Sequence, residues 1–120
     1  MNNTSKKYLS DIRSACERAL ALAEGLSYDA YIASGATPLA VERLLITAGE
    51  AINQLRKHDP DLARTMKADV RGIVAVRNIL VHNYDSIDQP VVYTIITRYV
   101  PELLQEVNAL LASDIPELPE

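Results

Sequence analysis

The sequence has no second cysteine, so Cys16 cannot close an internal disulfide, which is compatible with a reducing compartment. It falls on the apolar side of the first helical stretch and reads as a packed thiol rather than a nucleophile or ligand. No apolar segment follows Lys6-Lys7 as a secretory leader requires, and no run reaches the roughly 18 apolar residues of a membrane span. A soluble, cytoplasmic protein with no membrane partner is expected. Clusters of His and Cys, or of carboxylates, at metal-ligand spacing are also missing. Neither a zinc site nor a two-metal site is therefore expected, and no cofactor is implied. Internal repeats, low-complexity tracts and interdomain linkers are absent as well. At 120 residues this is one domain, long enough for a single modest core and small enough for an oligomer interface to matter to its stability.

Positive charge is scarce overall. A formal charge of −4 argues against nonspecific coating of nucleic acid, because Lys and Arg must neutralise phosphates for that kind of affinity. Its distribution is uneven. Residues 56–82 hold Arg56, Lys57, Arg64, Lys67, Arg71 and Arg77 against Asp59, Asp61 and Asp69, six against three, a formal +3 that leaves −7 for the rest of the chain. This concentration is either a solvated, mixed-charge surface or a phosphate-binding patch.

What is present is helical periodicity. From Tyr8 to Leu26, apolar residues at 8, 12, 15, 16, 19, 22, 23 and 26 predict a first amphipathic helix. Ser27-Tyr28-Asp29 starts a short helix that Gly35 ends, and Thr37-Pro38 offers a cap followed by proline for a long helix to about Lys57. Leu44, Leu45, Ala48, Ile52 and Leu55 form its stripe, with Glu50 and Asn53 beside it, either as flank residues or as groups that orient a site. His58 reads as a loop residue, and Asp59-Pro60 as the cap of one short turn. Residues 69–82 are rich in β-branched side chains. Strict alternation fails at Ile73-Val74-Ala75-Val76, while 70, 73, 74, 77, 81 and 84 recur at helical spacing. The segment is therefore assigned to helix, with Gly72 as a point of close helix approach. A final helix runs from about Gln89 to Ala112, kinked at Pro101. The helical domain thus covers 1–112, and 113–120 forms an acidic, proline-containing tail.

At the end of the 69–82 segment and just beyond it, Arg77-Asn78-Ile79-Leu80-Val81-His82-Asn83-Tyr84 places an arginine, a histidine and a tyrosine in an otherwise apolar stretch. Arg is a permanent, fork-shaped anion binder and His titrates near neutrality, a pair suited to phosphate chemistry. On an ideal helix Arg77 and Tyr84 differ by about 20° in azimuth, but Arg77 and His82 by about 140°. Those two converge only where the helix ends or distorts near His82, or where Arg77 reaches around. Asn78, four residues before His82, shares its face with it while the helix lasts, a placement that could fix the imidazole tautomer. The plainer alternative makes His82 a polar helix-end residue beside the C-terminal dipole.

The Arg-x-x-x-x-His-x-Tyr spacing, the middle-helix stretch from Thr37 through Glu50-Ala51-Ile52-Asn53-Gln54-Leu55, and the helical surroundings resemble the HEPN ribonucleases (higher eukaryotes and prokaryotes nucleotide-binding), in the HepT-like toxin branch. That resemblance implies an all-α, up-and-down bundle of four to five helices that dimerises through a face including the motif helix. It implies a metal-independent endoribonuclease acting on an RNA such as tRNA or mRNA, with Arg77 and His82 catalytic and two copies of the motif meeting across the homodimer. Asn78, Asn83 and Glu50 would support them. It further implies a partner, an MntA-like nucleotidyltransferase antitoxin that attaches AMP to Tyr84. For Tyr84 the alternative is a packed helix-end residue. Two rival readings stand beside this one: a non-catalytic nucleotide-binding or docking partner of a nucleotidyltransferase, and a helical dimer with a purely structural role.

Overall fold

In the computed structural model of the chain, which describes residues 1–82 and 87–113, the fold is an all-α bundle. The acidic tail beyond Ser113 lies outside the described residues. Helix α1 (Asn3–Ala23) begins where Asn2 Oδ1 accepts a 2.8 Å hydrogen bond from the Ser5 amide, well before the apolar pattern becomes visible at Tyr8. It stops at Ala23 rather than Leu26, ahead of Gly25, whose φ of 73° no longer fits a right-handed helix.

Ser27 caps the short α2 (Tyr28–Ala33) as expected. Helix α3 (Ala36–His58) differs from expectation at its start. Gly35, at φ 61°, takes the capping position, so Thr37 and Pro38 fall inside the first turn. Proline is tolerated there because those amides have no intrahelical acceptor. His58 is the last residue of α3, not a loop residue, and its ring stacks on Tyr8 with centroids 5.5 Å apart.

Asp59 ends α3 and caps α4 (Pro60–Thr65), accepting from the Leu62 amide at 3.2 Å and from the buried Ser5 hydroxyl at 2.6 Å. Those two donors hold its carboxyl below the usual aspartate range. Helix α5 (Arg71–Val81) follows. The last segment consists of α6 (Gln89–Thr94), capped by Asp88, a π-helical turn at Ile95–Tyr99, and α7 (Val100–Ser113). The π-helical turn lies immediately before Pro101, where the sequence predicts a kink. The proline ring would crowd the carbonyl of the preceding turn, and a wider turn immediately before it relieves the clash.

Helix α3 is the spine, packed on α1 along one side and on α5 along another, with α7 closing against α1. Every predicted stripe residue of α3 is buried, and Ile12, Cys16, Tyr31, Val92, Ile96, Leu103 and Val107 complete the core. The α5 stripe is narrower than its periodicity suggested: Ile73 and Val76 are buried, whereas Val81 is exposed at the helix end. Burial of this set supplies the main stabilisation of the bundle.

Candidate functional site

The motif occupies the last turn and the end of α5. The helix stops at Val81, and His82 sits at the C-cap with φ −84° and ψ 4°, its amide donating to the Asn78 carbonyl at 3.1 Å. The imidazole is on an exposed residue. The helix end near His82, one of the two routes by which it could converge with Arg77, is therefore present. Asn83 and Tyr84, together with Asp85, lie outside the described residues.

Arg77 lies against α3. Its side chain is only 21% exposed, and a terminal nitrogen donates to Glu50 Oε2 at 2.6 Å. Its other terminal nitrogen donates to the Asn78 side-chain oxygen at 3.1 Å, while Nε is buried with no hydrogen-bond partner. Two of the five guanidinium donors are thereby used, and the fork is held in one orientation. Glu50 and Asn78 both meet Arg77; Asn78 engages the guanidinium through its side-chain oxygen and the His82 amide through its carbonyl. Asn53 is half-buried on the same helix as Glu50.

This contact depends on a close approach of two backbones. A Cβ built on the buried Gly49 would lie 2.6 Å from Arg77 Cβ, 2.9 Å from its Cγ and 3.4 Å from the Ile73 carbonyl. The sequence pointed to Gly72 for such an approach. There, an added Cβ would meet only Ile95 side-chain carbons, at 3.2 Å. Gly49 was the missed position, and its signal was available: a glycine inside a long amphipathic helix commonly marks a tight neighbour.

The basic segment 56–82 resolves partly into ordinary surface pairing. Arg64 is bonded to Asp61, and Arg71 grips Asp69 through Nε at 3.0 Å and Nη2 at 2.9 Å. The Arg71 guanidinium pulls the Asp69 carboxyl down to about 2. Arg64 and Arg71 are thereby committed to neighbouring carboxylates, whereas Arg77, oriented by Glu50 and Asn78 through two of its five donors, keeps others for an anion. A cleft of about 660 Å³ lies between α5 and α6, walled by Ala75, Pro90, Val91, Ile95 and Tyr99. Its wall is mainly apolar and its rim arginine, Arg71, is already bidentate on Asp69, so it lacks the convergent polar groups found around Arg77. Among the described residues no group of three or more His, Cys, Asp or Glu is placed to hold a metal ion.

The family described as Ribonuclease HepT-like matches residues 12–110, from the middle of α1 to the last turn of α7. The chain belongs to the HepT-like ribonuclease family. A curated protein of Caldanaerobacter subterraneus subsp. tengcongensis named "Putative RNase TTE0752" is 25% identical over 111 residues, covering 92% of this chain and 97% of the relative. No solved structure matches the chain. The HepT-like match includes both halves of the contact described above, Glu50 on α3 and the Arg77–His82 stretch on α5. It also accounts for the fold, an all-α bundle with no helix among the described residues long and apolar enough to cross a membrane.

Proposed function

We propose that this HepT-like chain is the toxin of a toxin–antitoxin pair, a metal-independent endoribonuclease whose catalytic unit is a homodimer. The observation that carries the reading is the arginine of Arg-x-x-x-x-His-x-Tyr being oriented by Glu50 and Asn78 while the histidine closes the same helix. Cleavage begins with the ribose 2′-oxygen attacking the adjacent phosphorus. The bond from phosphorus to the 5′-oxygen then breaks, leaving a 2′,3′-cyclic phosphate and a 5′-hydroxyl. A base must take the 2′ proton, an acid must supply one to the leaving oxygen, and a cation must stabilise the phosphorane. One neutral imidazole cannot do the first two in a single step. Two-fold pairing supplies His82 and the partner subunit's His82, together with Arg77 and the partner subunit's Arg77, to one cleft. Arg77 clamps the scissile phosphate, the two imidazoles divide the proton transfers, and Asn78 and Asn83 orient groups beside them.

Tyr84 is the regulatory position in this reading. AMP attached to its hydroxyl by a nucleotidyltransferase antitoxin adds bulk and an anionic phosphate close to the motif, where it competes with substrate for Arg77. The test is overproduction of the chain with and without that partner. Growth arrest that requires His82, relief by the partner with ATP, and an AMP mass increase on Tyr84 are expected. Healthy growth and intact RNA, with nucleotide or partner binding retained, would favour the non-catalytic docking role instead.

A further inference from the structure

We infer that Gly49 is a positioning residue for Arg77, the feature of α3 that sets how far the guanidinium stands from Glu50 and from the phosphate it clamps; the inference rests on the role given to Arg77 above. The geometry is unusually restrictive. The atoms a Gly49 Cβ would strike, Arg77 Cβ at 2.6 Å and Cγ at 2.9 Å, are the two side-chain carbons nearest the α5 backbone: Cβ is fixed to that backbone, and Cγ moves only by a change of χ1 that would carry the whole side chain to a new rotamer. The Ile73 carbonyl, one turn earlier, closes the same space at 3.4 Å. Any side chain at 49 must therefore push the helices apart, by about 1 Å to restore ordinary van der Waals contact.

Glu50 is the next residue on α3, so that displacement is transmitted to the 2.6 Å bond that holds the fork. Both ends of the Arg77 side chain are thus set by consecutive residues: Gly49 fixes where its stem leaves α5, and Glu50 fixes where its tip points. Nε lies between them, buried and without a partner, and the other anchor of the fork, Asn78, rides on α5 with Arg77 itself, so Glu50 is the contact that ties the guanidinium to α3. A simple helix-forming role predicts the opposite preference, because alanine is the better helix former at an interior position.

The test compares Gly49→Ala, Arg77→Ala, the double variant and the control Gly72→Ala in full-length protein, by single-turnover RNA cleavage and circular dichroism. Gly49→Ala is expected to keep its helix content and to cleave at least about tenfold more slowly, as a misplacement near 1 Å does. Gly72→Ala, which meets only flexible Ile95 carbons, stays within about twofold of wild type. The double variant is expected to be no slower than Arg77→Ala alone, since Gly49 acts through that residue. Multiplying losses in the double variant, or wild-type cleavage by Gly49→Ala where Arg77→Ala is inactive, overturns the inference and leaves the site reading standing. Unimpaired cleavage by Arg77→Ala overturns the site reading itself. If Gly49→Ala does not fold, a wild-type nuclear Overhauser contact between Gly49 Hα and Arg77 Hβ decides: its presence supports the inference and its absence overturns it.

Discussion

Glu50 on α3 and Arg77 on α5 are joined by a 2.6 Å charge-assisted hydrogen bond. Half of the Glu50 side chain is exposed, so the pair contributes little to stability. Its value is orientation. Glu50→Ala is expected to fold normally and to cleave RNA about 10 to 100 times more slowly, with Glu50→Gln, which keeps an acceptor, losing less. Wild-type rates in Glu50→Ala would mean that helix packing alone holds Arg77.

Glu106 on α7 ties down the connection between α4 and α5. Its two carboxylate oxygens accept from the backbone amides of Lys67 and Ala68 at 2.8 and 3.0 Å. Truncation in Glu106→Ala is expected to lower stability by about 1 kcal/mol and to speed hydrogen exchange selectively at those two amides. Unchanged exchange there would remove Glu106 from the account of how α5 is placed.

The folded chain buries a carboxyl at Glu42, 9% exposed, beside the fully buried Tyr31. Burial raises the Glu42 pKa, partly offset by a hydrogen bond from Gln89, and burial with the Glu42 charge pushes the Tyr31 hydroxyl up to about 12. Because the folded state holds the Glu42 proton more tightly than the unfolded state, this group favours folding at low pH. Its contribution is lost as pH rises from the ordinary carboxylate value through the raised one. Asp69 acts in the opposite sense. Its carboxyl is lowered from 3.8 to about 2, so its contribution is present above that window and lost as pH falls through it. Melting temperatures measured across pH should therefore show Glu42→Gln flattening the decline at higher pH and gaining a few degrees at neutrality. Asp69→Asn should flatten the acid limb. A Glu42→Gln profile parallel to wild type contradicts the assignment.

Cys16 should be inert while the chain is folded. It is 1% exposed, and burial first, then the Glu17 charge, pushes its thiol up to about 12. At pH 8 a disulfide reagent is expected to titrate no thiol in native protein and one per chain in denaturant. Rapid modification of the native protein would contradict that packing.

The elements whose signals are local were legible in the sequence. Ser27 and Asp59-Pro60 each mark a helix start through a cap or an N-terminal proline, and the structure begins helices at both; the last helical segment also starts at Gln89, as its pattern suggested. The α3 stripe was equally plain, since its period-3.6 pattern depends on α3 alone. What sequence did not reveal rests on partners far along the chain. Asp59 was read as a cap, but not as the acceptor of the Ser5 hydroxyl. Nothing local in sequence gives Glu106 its two amide donors, which lie 38 and 39 residues earlier. Gly49, a glycine inside a long helix, signals a tight neighbour, but nothing near it in sequence says that the neighbour is Arg77. Of the candidate site, the Arg77 and His82 pattern was visible by spacing and Glu50 by its place beside the stripe. Their directions, one toward α3 and one at the helix end, required the fold.

The most direct measurement is RNA cleavage by purified wild-type chain, Arg77→Ala and His82→Ala, each with and without EDTA. Cutting by wild type that persists in chelator and vanishes in both variants is predicted. Wild-type cutting that EDTA abolishes, or that survives in His82→Ala, would contradict a metal-free reaction carried by Arg77 and His82.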